Sequence, residues 1–311
     1  MSTLDLLIYF LAMKHVLAAS QFDKKELLAI MAKAVEMEKI IKNGSSDLAK
    51  GKIMAALFYE PSTRTRLSFE TAMLRLGGSI ISETDVTFSS ITKGEVLSDT
   101  AQIVGGYSDI IAIRSKNVGD AQTMADYAGV PVLNGGDGSA EHPTQALLDL
   151  YTISKHFNLE AGMNAVMVGD LKYGRTVHSL TQILRNFKNV NISFVAPAEM
   201  QVPDKYLETG DRKFNCLNDE ILETADVIYD TRIQKERFED ASDYEKCKDS
   251  FIFTPENVGK MKDNAILMHP LPRVTEITQE VDKLPQAKYF EQAQNGVPIR
   301  MALLARALNL K

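Results

Sequence analysis

Short apolar runs alternate with longer mixed stretches along most of this chain. Ile53 to Tyr59, Ser79 to Glu83, Ile110 to Arg114 and Val130 to Leu133 read as strands, the first of them buried. Helical spacing fills the gaps, over Thr63 to Leu76 (stopped by Gly77-Gly78) and Glu95 to Val104. Before this series, Asp23 stands as N-cap to a helix over Lys24 to Lys42. Leu27, Leu28, Ile30, Met31, Ala34 and Met37 form its apolar side, and Asn43-Gly44 ends it. Pro143 to Phe157 is a long helix. A second series follows, with strands Ala165 to Gly169, Ile192 to Ala196, Val227 to Thr231 and Ala265 to His269. A helix lies over Gly174 to Phe187, and a last one over Pro298 to Leu310. Alternating strands and helices make parallel α/β sheets. Two series predict two such domains, each a parallel sheet flanked by helices, with the active site in the interdomain cleft. The expected division is an extension over 1–12, a first domain over 13–144 plus the C-terminal helix 296–311, and a second over 145–295.

In open parallel sheets, ligands bind beyond the carboxyl ends of the strands, so the strand ends carry the candidate chemistry. Ser62-Thr63-Arg64-Thr65 follows the first strand and opens a helix, where free N–H groups and a partial positive charge favour an anion. Arg114 ends another strand. His142 and Gln145 flank Pro143 at a helix start, suited to polarising a carbonyl. Arg175 opens the helix after Gly169, and Arg232 and Gln234 follow Thr231. "ILMHPLPR" closes the set with His269, Leu271 and Pro272, where a cis bond is expected. Each has an ordinary alternative: Ser62 as a plain cap, Arg64, Arg66 and Arg114 as solvated residues, His142 as a satisfied structural histidine. Jointly they point to a small, strongly anionic substrate pair. No Cys or Ser nucleophile stands beside a base, so covalent catalysis is not indicated.

The chain has 311 residues, 45% hydrophobic and 24% charged, enough for two cores. Its net charge of −6 argues against a nucleic-acid or anionic-membrane surface. Cys216 and Cys247 make no disulfide framework and have no metal-ligand spacing, which fits a reduced cytoplasmic setting and no metal. Neither G-x-G-x-x-G nor a P-loop occurs, and no cofactor is implied. Leu4 to Met13 is apolar but too short to span a bilayer, and it lacks a basic leader. It reads as an added helix or disordered extension, with Met13 an alternative start.

"STRTR", "GDGSAEHPTQALLDL", "MVGDLKYGRTVHSLTQIL", "TRIQKERF" and "HPLPR" together resemble the aspartate carbamoyltransferase family, from about Met13 to Leu310. "STRTR" marks carbamoyltransferases generally. Thr144 within "HPTQ", "HPLP" and "RIQKER" set the aspartate branch apart from the ornithine branch, which typically carries cysteines in the corresponding motifs. Ornithine or another amine is the alternative acceptor, and a non-catalytic anion-binding scaffold is the rival of another class.

The resemblance implies transfer of a carbamoyl group from carbamoyl phosphate to L-aspartate, an early pyrimidine step. It implies that Ser62, Thr63, Arg64 and Thr65 hold the phosphate. Thr65, Arg114 and His142 would surround the carbonyl oxygen, and Gln145 the carbamoyl amine. Arg175, Arg232 and Gln234 would take the aspartate carboxylates, and Leu271 and Pro272 would present backbone to the reacting groups. Ser89 and Lys93 match a loop that enters the neighbouring subunit's site in a homotrimer with shared active sites. Thr92 and Pro61 depart from the usual pattern. Glu60 and Arg237 match residues that bridge the two domains on closure. A separate regulatory chain is a possible partner.

Overall fold

Ile53–Phe58 forms β1, a strand with only its first residue partly exposed. The computed structural model describes residues 15–83, 93–138, 140–233 and 251–311. β2 (Ser79–Glu83), β3 (Ile110–Ser115) and β4 (Val132–Asp137) complete a parallel sheet of order β2-β1-β3-β4. Period-two alternation divides the faces. Ala55, Leu57, Ile111 and Ile113 pack with Ala101, Ala121 and Met124, which lie on helices α3 (Leu97–Tyr107) and α4 (Asp120–Tyr127), numbered after α1 (Lys24–Lys42) and α2 (Thr63–Arg75). Phe58, on the other face, meets Phe69 of α2 at 6.5 Å between ring centroids. Asp23 and Glu26 cap α1 reciprocally at 2.8 and 3.0 Å. The C-terminal helix Gly296–Ala307 packs on α1 and α2, and Arg306 Nη2 donates to Glu26 Oε1 at 2.6 Å.

These elements, with the start of α5 (Pro143–His156), form one compact unit, Met1–Leu147 with Asn295–Lys311. The division falls inside α5 rather than at 144/145. Arg300 of the C-terminal helix donates to Thr144 Oγ1 at 3.3 Å, which ties the first turn of α5 to this unit.

The second unit, Leu148–Gln294, holds a parallel sheet of order β7-β6-β5-β8-β9. Its strands are β5 (Met163–Gly169), β6 (Val190–Val195), β7 (Arg212–Phe214), β8 (Val227–Thr231) and β9 (Ile266–Met268). One face buries Val166, Val168, Val195, Ile228 and Leu267 with Phe253, Ile277 and Tyr289. Helix α6 (Arg175–Leu184) follows β5, and α7 (Asp219–Thr224) precedes β8.

Among the elements whose bounds differ from the sequence expectation, β4 and α3 both run on through a glycine pair. β4 continues to Asp137 instead of stopping at Leu133, so Asn134-Gly135-Gly136-Asp137 is strand. α3 runs on through Gly105-Gly106 to Tyr107. Among the described residues, no helix is long and apolar enough to cross a membrane, and no group of three or more His, Cys, Asp or Glu could hold a metal ion.

Candidate active site

β1, β3 and β4 lie side by side in the first sheet, and each delivers a polar group from its carboxyl end. β1 leads into Ser62, which occupies the N-cap of α2 in extended conformation (φ −161°) but makes no side-chain cap bond. The hydroxyl thus leaves the leading N–H groups of α2 unengaged by a cap, at the positive end of the helix dipole. Thr63 and Arg64 are exposed there, and Thr65 is buried. Partial burial lowers the pKa of Arg64 from its ordinary value; an arginine so placed stays charged.

Arg114, pairing with Phe58 across β3 and β1, turns its guanidinium toward the same end. Its Nη2 meets Glu60 Oε2 at 2.9 Å. Its Nη1 donates to the Gly135 carbonyl at 3.1 Å and lies 3.4 Å from His142 Nε2. An arginine N–H only donates, so this contact suits a His142 ring whose Nε2 carries no proton. His142, just before α5, is 4% exposed, and its carbonyl accepts from Gln145 N at 3.0 Å. Gly135 lies against this cluster. A Cβ there would stand 3.2 Å from the Ile113 carbonyl, 3.4 Å from Thr65 Cγ2 and 3.6 Å from Arg114 Cβ. Thr65, Arg114 and His142 therefore lie together at one strand end, where the Thr65 hydroxyl and the Arg114 guanidinium are donors suited to an oxygen that gains negative charge.

The second unit uses its strands the same way. Arg175 opens α6 after β5, Arg232 follows β8, and Leu271 and Pro272 follow β9, on three adjacent strands. Both arginines are partly exposed. Leu271 has φ 55°, and the bond to Pro272 is cis. His178 of α6 donates from Nε2 to the Leu171 carbonyl at 2.8 Å and stacks on Tyr206, with centroids 4.1 Å apart. Burial pulls its pKa down to about 4, so the ring is neutral near pH 7.

Residues 14–155 match the model of the aspartate/ornithine carbamoyltransferase carbamoyl-P binding domain, and residues 161–307 match that of the Asp/Orn binding domain. The chain belongs to the aspartate/ornithine carbamoyltransferase family. It is 49% identical over 295 residues to the aspartate carbamoyltransferase catalytic subunit of Methanococcus maripaludis strain C7, covering 94% of this chain and 97% of that one. Among solved structures, the catalytic subunit of M. jannaschii aspartate transcarbamoylase matches with TM-score 0.87 and 47% identity, covering 96% of this chain and 98% of that one. The Trypanosoma cruzi enzyme in complex with N-(phosphonacetyl)-L-aspartic acid matches with TM-score 0.88 and 38% identity, over 93% and 94%.

Of the carbamoyltransferase positions expected from the motifs, the first unit gathers Thr65, Arg114 and His142, next to Ser62, Thr63 and Arg64 at the head of α2. Gln145 is partly exposed in the first turn of α5. Lys93 is exposed beside Gly94, which has φ 95°. Ser89, Gln234 and Arg237 lie outside the described residues, as do 1–12. Glu60, expected to act with Arg237 as a bridge, is here the ion-pair partner of Arg114 within its own unit. Sequence reasoning missed Gly135, because Gly-Gly after an apolar run reads as a turn. It also left His269 as a bare strand-end histidine.

Proposed function

We propose that the protein is an aspartate carbamoyltransferase, an enzyme that transfers the carbamoyl group of carbamoyl phosphate to the amine of L-aspartate, yielding N-carbamoyl-L-aspartate and phosphate. The convergence of Thr65, Arg114 and His142 beside the uncapped head of α2 carries this reading. That head, with Ser62, Thr63, Arg64 and Thr65, takes the phosphate. The three converging side chains take the carbonyl oxygen and Gln145 the carbamoyl amine. Arg175, Arg232 and Gln234 hold the aspartate carboxylates, while Leu271 and Pro272 present backbone to the reacting groups. Complexes of the T. cruzi relative with carbamoyl phosphate and aspartate, and with carbamoyl aspartate and phosphate, support this substrate pair.

As the amine attacks the carbamoyl carbon, charge grows on the carbonyl oxygen. Each preorganised donor there contributes on the order of 3 kcal/mol to the transition state. Orientation of two bound anions supplies the rest. The departing phosphate accepts the amine proton, so no side-chain base is needed. We further propose a cytoplasmic enzyme of pyrimidine biosynthesis, assembled as a homotrimer in which Ser89 and Lys93 of one chain complete a neighbour's site. Glu60 would exchange Arg114 for Arg237 on closure, and any regulatory chain would be a separate polypeptide.

Purified protein supplied with carbamoyl phosphate and either L-aspartate or L-ornithine tests the assignment through phosphate release. Turnover is expected with aspartate. Turnover with ornithine alone reassigns the acceptor, and ligand binding without turnover makes the protein a scaffold.

A further inference from the structure

The turn after β9 contains a residue in an unusual conformation and a buried polar assembly that grips it. Leu271 sits at φ 55°, in the left-handed region that side-chain-bearing residues rarely occupy. Its backbone N–H donates to His269 Nδ1 at 2.8 Å. Because that nitrogen accepts, it carries no proton, and the ring proton belongs to Nε2. His269 Nε2 stands 2.9 Å from Glu276 Oε1. The other Glu276 oxygen accepts from Val274 N and Thr275 N, both at 3.0 Å. Burial alone would raise the pKa of Glu276, but the bonds from His269 and the backbone hold it below the ordinary carboxylate value. His269 and Glu276 are 1% and 6% exposed.

A second chain of buried bonds fixes the base of this turn. The His269 backbone N donates to Gln292 Oε1 at 2.8 Å, Gln292 Nε2 to Asp149 Oδ1 at 2.7 Å, and the Tyr229 hydroxyl to Asp149 Oδ2 at 2.8 Å. The outlet of this assembly is the Leu271 backbone.

We propose that His269 is a positioning residue, locked by Glu276 as the Nε2-protonated tautomer, whose Nδ1 holds the Leu271 peptide in the orientation that faces the reacting groups. The inference rests on the carbamoyltransferase reading, which gives the Leu271 backbone its place at the reaction. Glu276 is the tautomer lock. A carboxylate can only accept, so it keeps the proton on Nε2 and leaves Nδ1 open to Leu271.

Two substitutions at one position separate this role from simple packing. In His269→Asn, the amide oxygen accepts from the N–H two residues on, as Asx turns do, and so restores the Leu271 bond. His269→Gln reaches Glu276 with its amide instead and offers Leu271 no acceptor. The Gln variant is expected to lose kcat by on the order of tenfold to a hundredfold. In that same variant, KM for carbamoyl phosphate, whose phosphate is held at Ser62–Thr65, should move less than about threefold. The Asn variant should keep kcat within about threefold of the parent. Nitrogen-15 spectra of histidine-labelled parent protein should show His269 with an unprotonated Nδ1. A Gln variant as active as the parent, or an Asn variant that falls as far as Gln, overturns the proposal. So does a protonated Nδ1, a readout that stands even if neither variant folds. Parent protein inactive toward aspartate refutes the functional reading instead, and the ring tautomer then tests the His269–Leu271 bond alone.

Discussion

Arg114 serves three neighbours at once: Glu60 through Nη2, and the Gly135 carbonyl and His142 through Nη1. Charged donors fixed in this way need no reorganisation when an oxyanion develops, which is why their loss is costly. Arg114→Ala should lower kcat by about 10²- to 10³-fold in a phosphate-release assay. A loss below tenfold would place the oxyanion elsewhere. Gly135 tests the same cluster sterically. The nearest atom to an added Cβ is a backbone oxygen of the neighbouring strand, 3.2 Å away, which cannot yield as a side-chain tip does. Gly135→Ala should cost about 1–2 kcal/mol in denaturant unfolding, the scale of mild overpacking. It should also lower kcat, because the new methyl touches Thr65 and Arg114, and easing it off the Ile113 carbonyl shifts the strand end that bears them. Unchanged stability with unchanged kcat would mean that the sheet opens freely at this point.

Elements obey the same rule of close approach. A glycine inside a helix usually gains up to about 1 kcal/mol on replacement by alanine. In α3 the sign should reverse: a Cβ on Gly105 would lie 1.9 Å from the Ala128 carbonyl, at the end of α4. Gly105→Ala should destabilise by more than about 2 kcal/mol, since two helices must separate. A stabilised variant would show that they slide apart at little cost. α6 carries a pH dependence through His178. Its folded pKa of about 4 lies below the ordinary value of 6.5, so the unfolded chain takes up the proton first. Stability is therefore full above about pH 6.5 and declines as pH falls toward 4, by as much as about 3 kcal/mol. Unfolding curves of the parent and His178→Gln at pH 7 and pH 4.5 measure that difference. Equal losses in both would remove His178 as the cause. Apolar runs of five or six residues made most strands of both sheets legible, because a strand covered on both faces has little polar sequence. β7 escaped because Arg212-Lys213-Phe214 is a short edge strand with two charged residues. β4 was cut short at Leu133 because its glycines mimic a turn. The strand-end arginines were legible for the same reason the strands were, since a charge at the end of an apolar run stands out. The Gln292–Asp149 bond was not, because its partners lie 143 positions apart and neither is unusual in its own stretch.

At the scale of the molecule, the two units repeat one construction. In each, three neighbouring parallel strands end in groups that attract anions: Ser62–Thr65, Arg114 and His142 in the first, Arg175, Arg232 and the Leu271 backbone in the second. Lys93 fits neither set, being exposed and placed ahead of α3 rather than at a strand end. If it serves a neighbouring chain, its loss and the loss of Arg114 damage different parts of a shared site. The two lesions can then be separated by mixing. Lys93→Ala and Arg114→Ala chains carrying different tags should each be nearly inactive alone. In a trimer containing both, one interface always joins an intact Arg114 from one chain to an intact Lys93 from the next, whether the ratio is two to one or the reverse. Doubly tagged trimers should thus recover activity equal to about one site in three, because a head-to-tail ring of three contains that pairing once. Hybrids as inactive as their parents would confine Lys93 to its own chain or remove it from the reaction. Recovery without a mass equal to three chains would keep the shared site but refute the trimer.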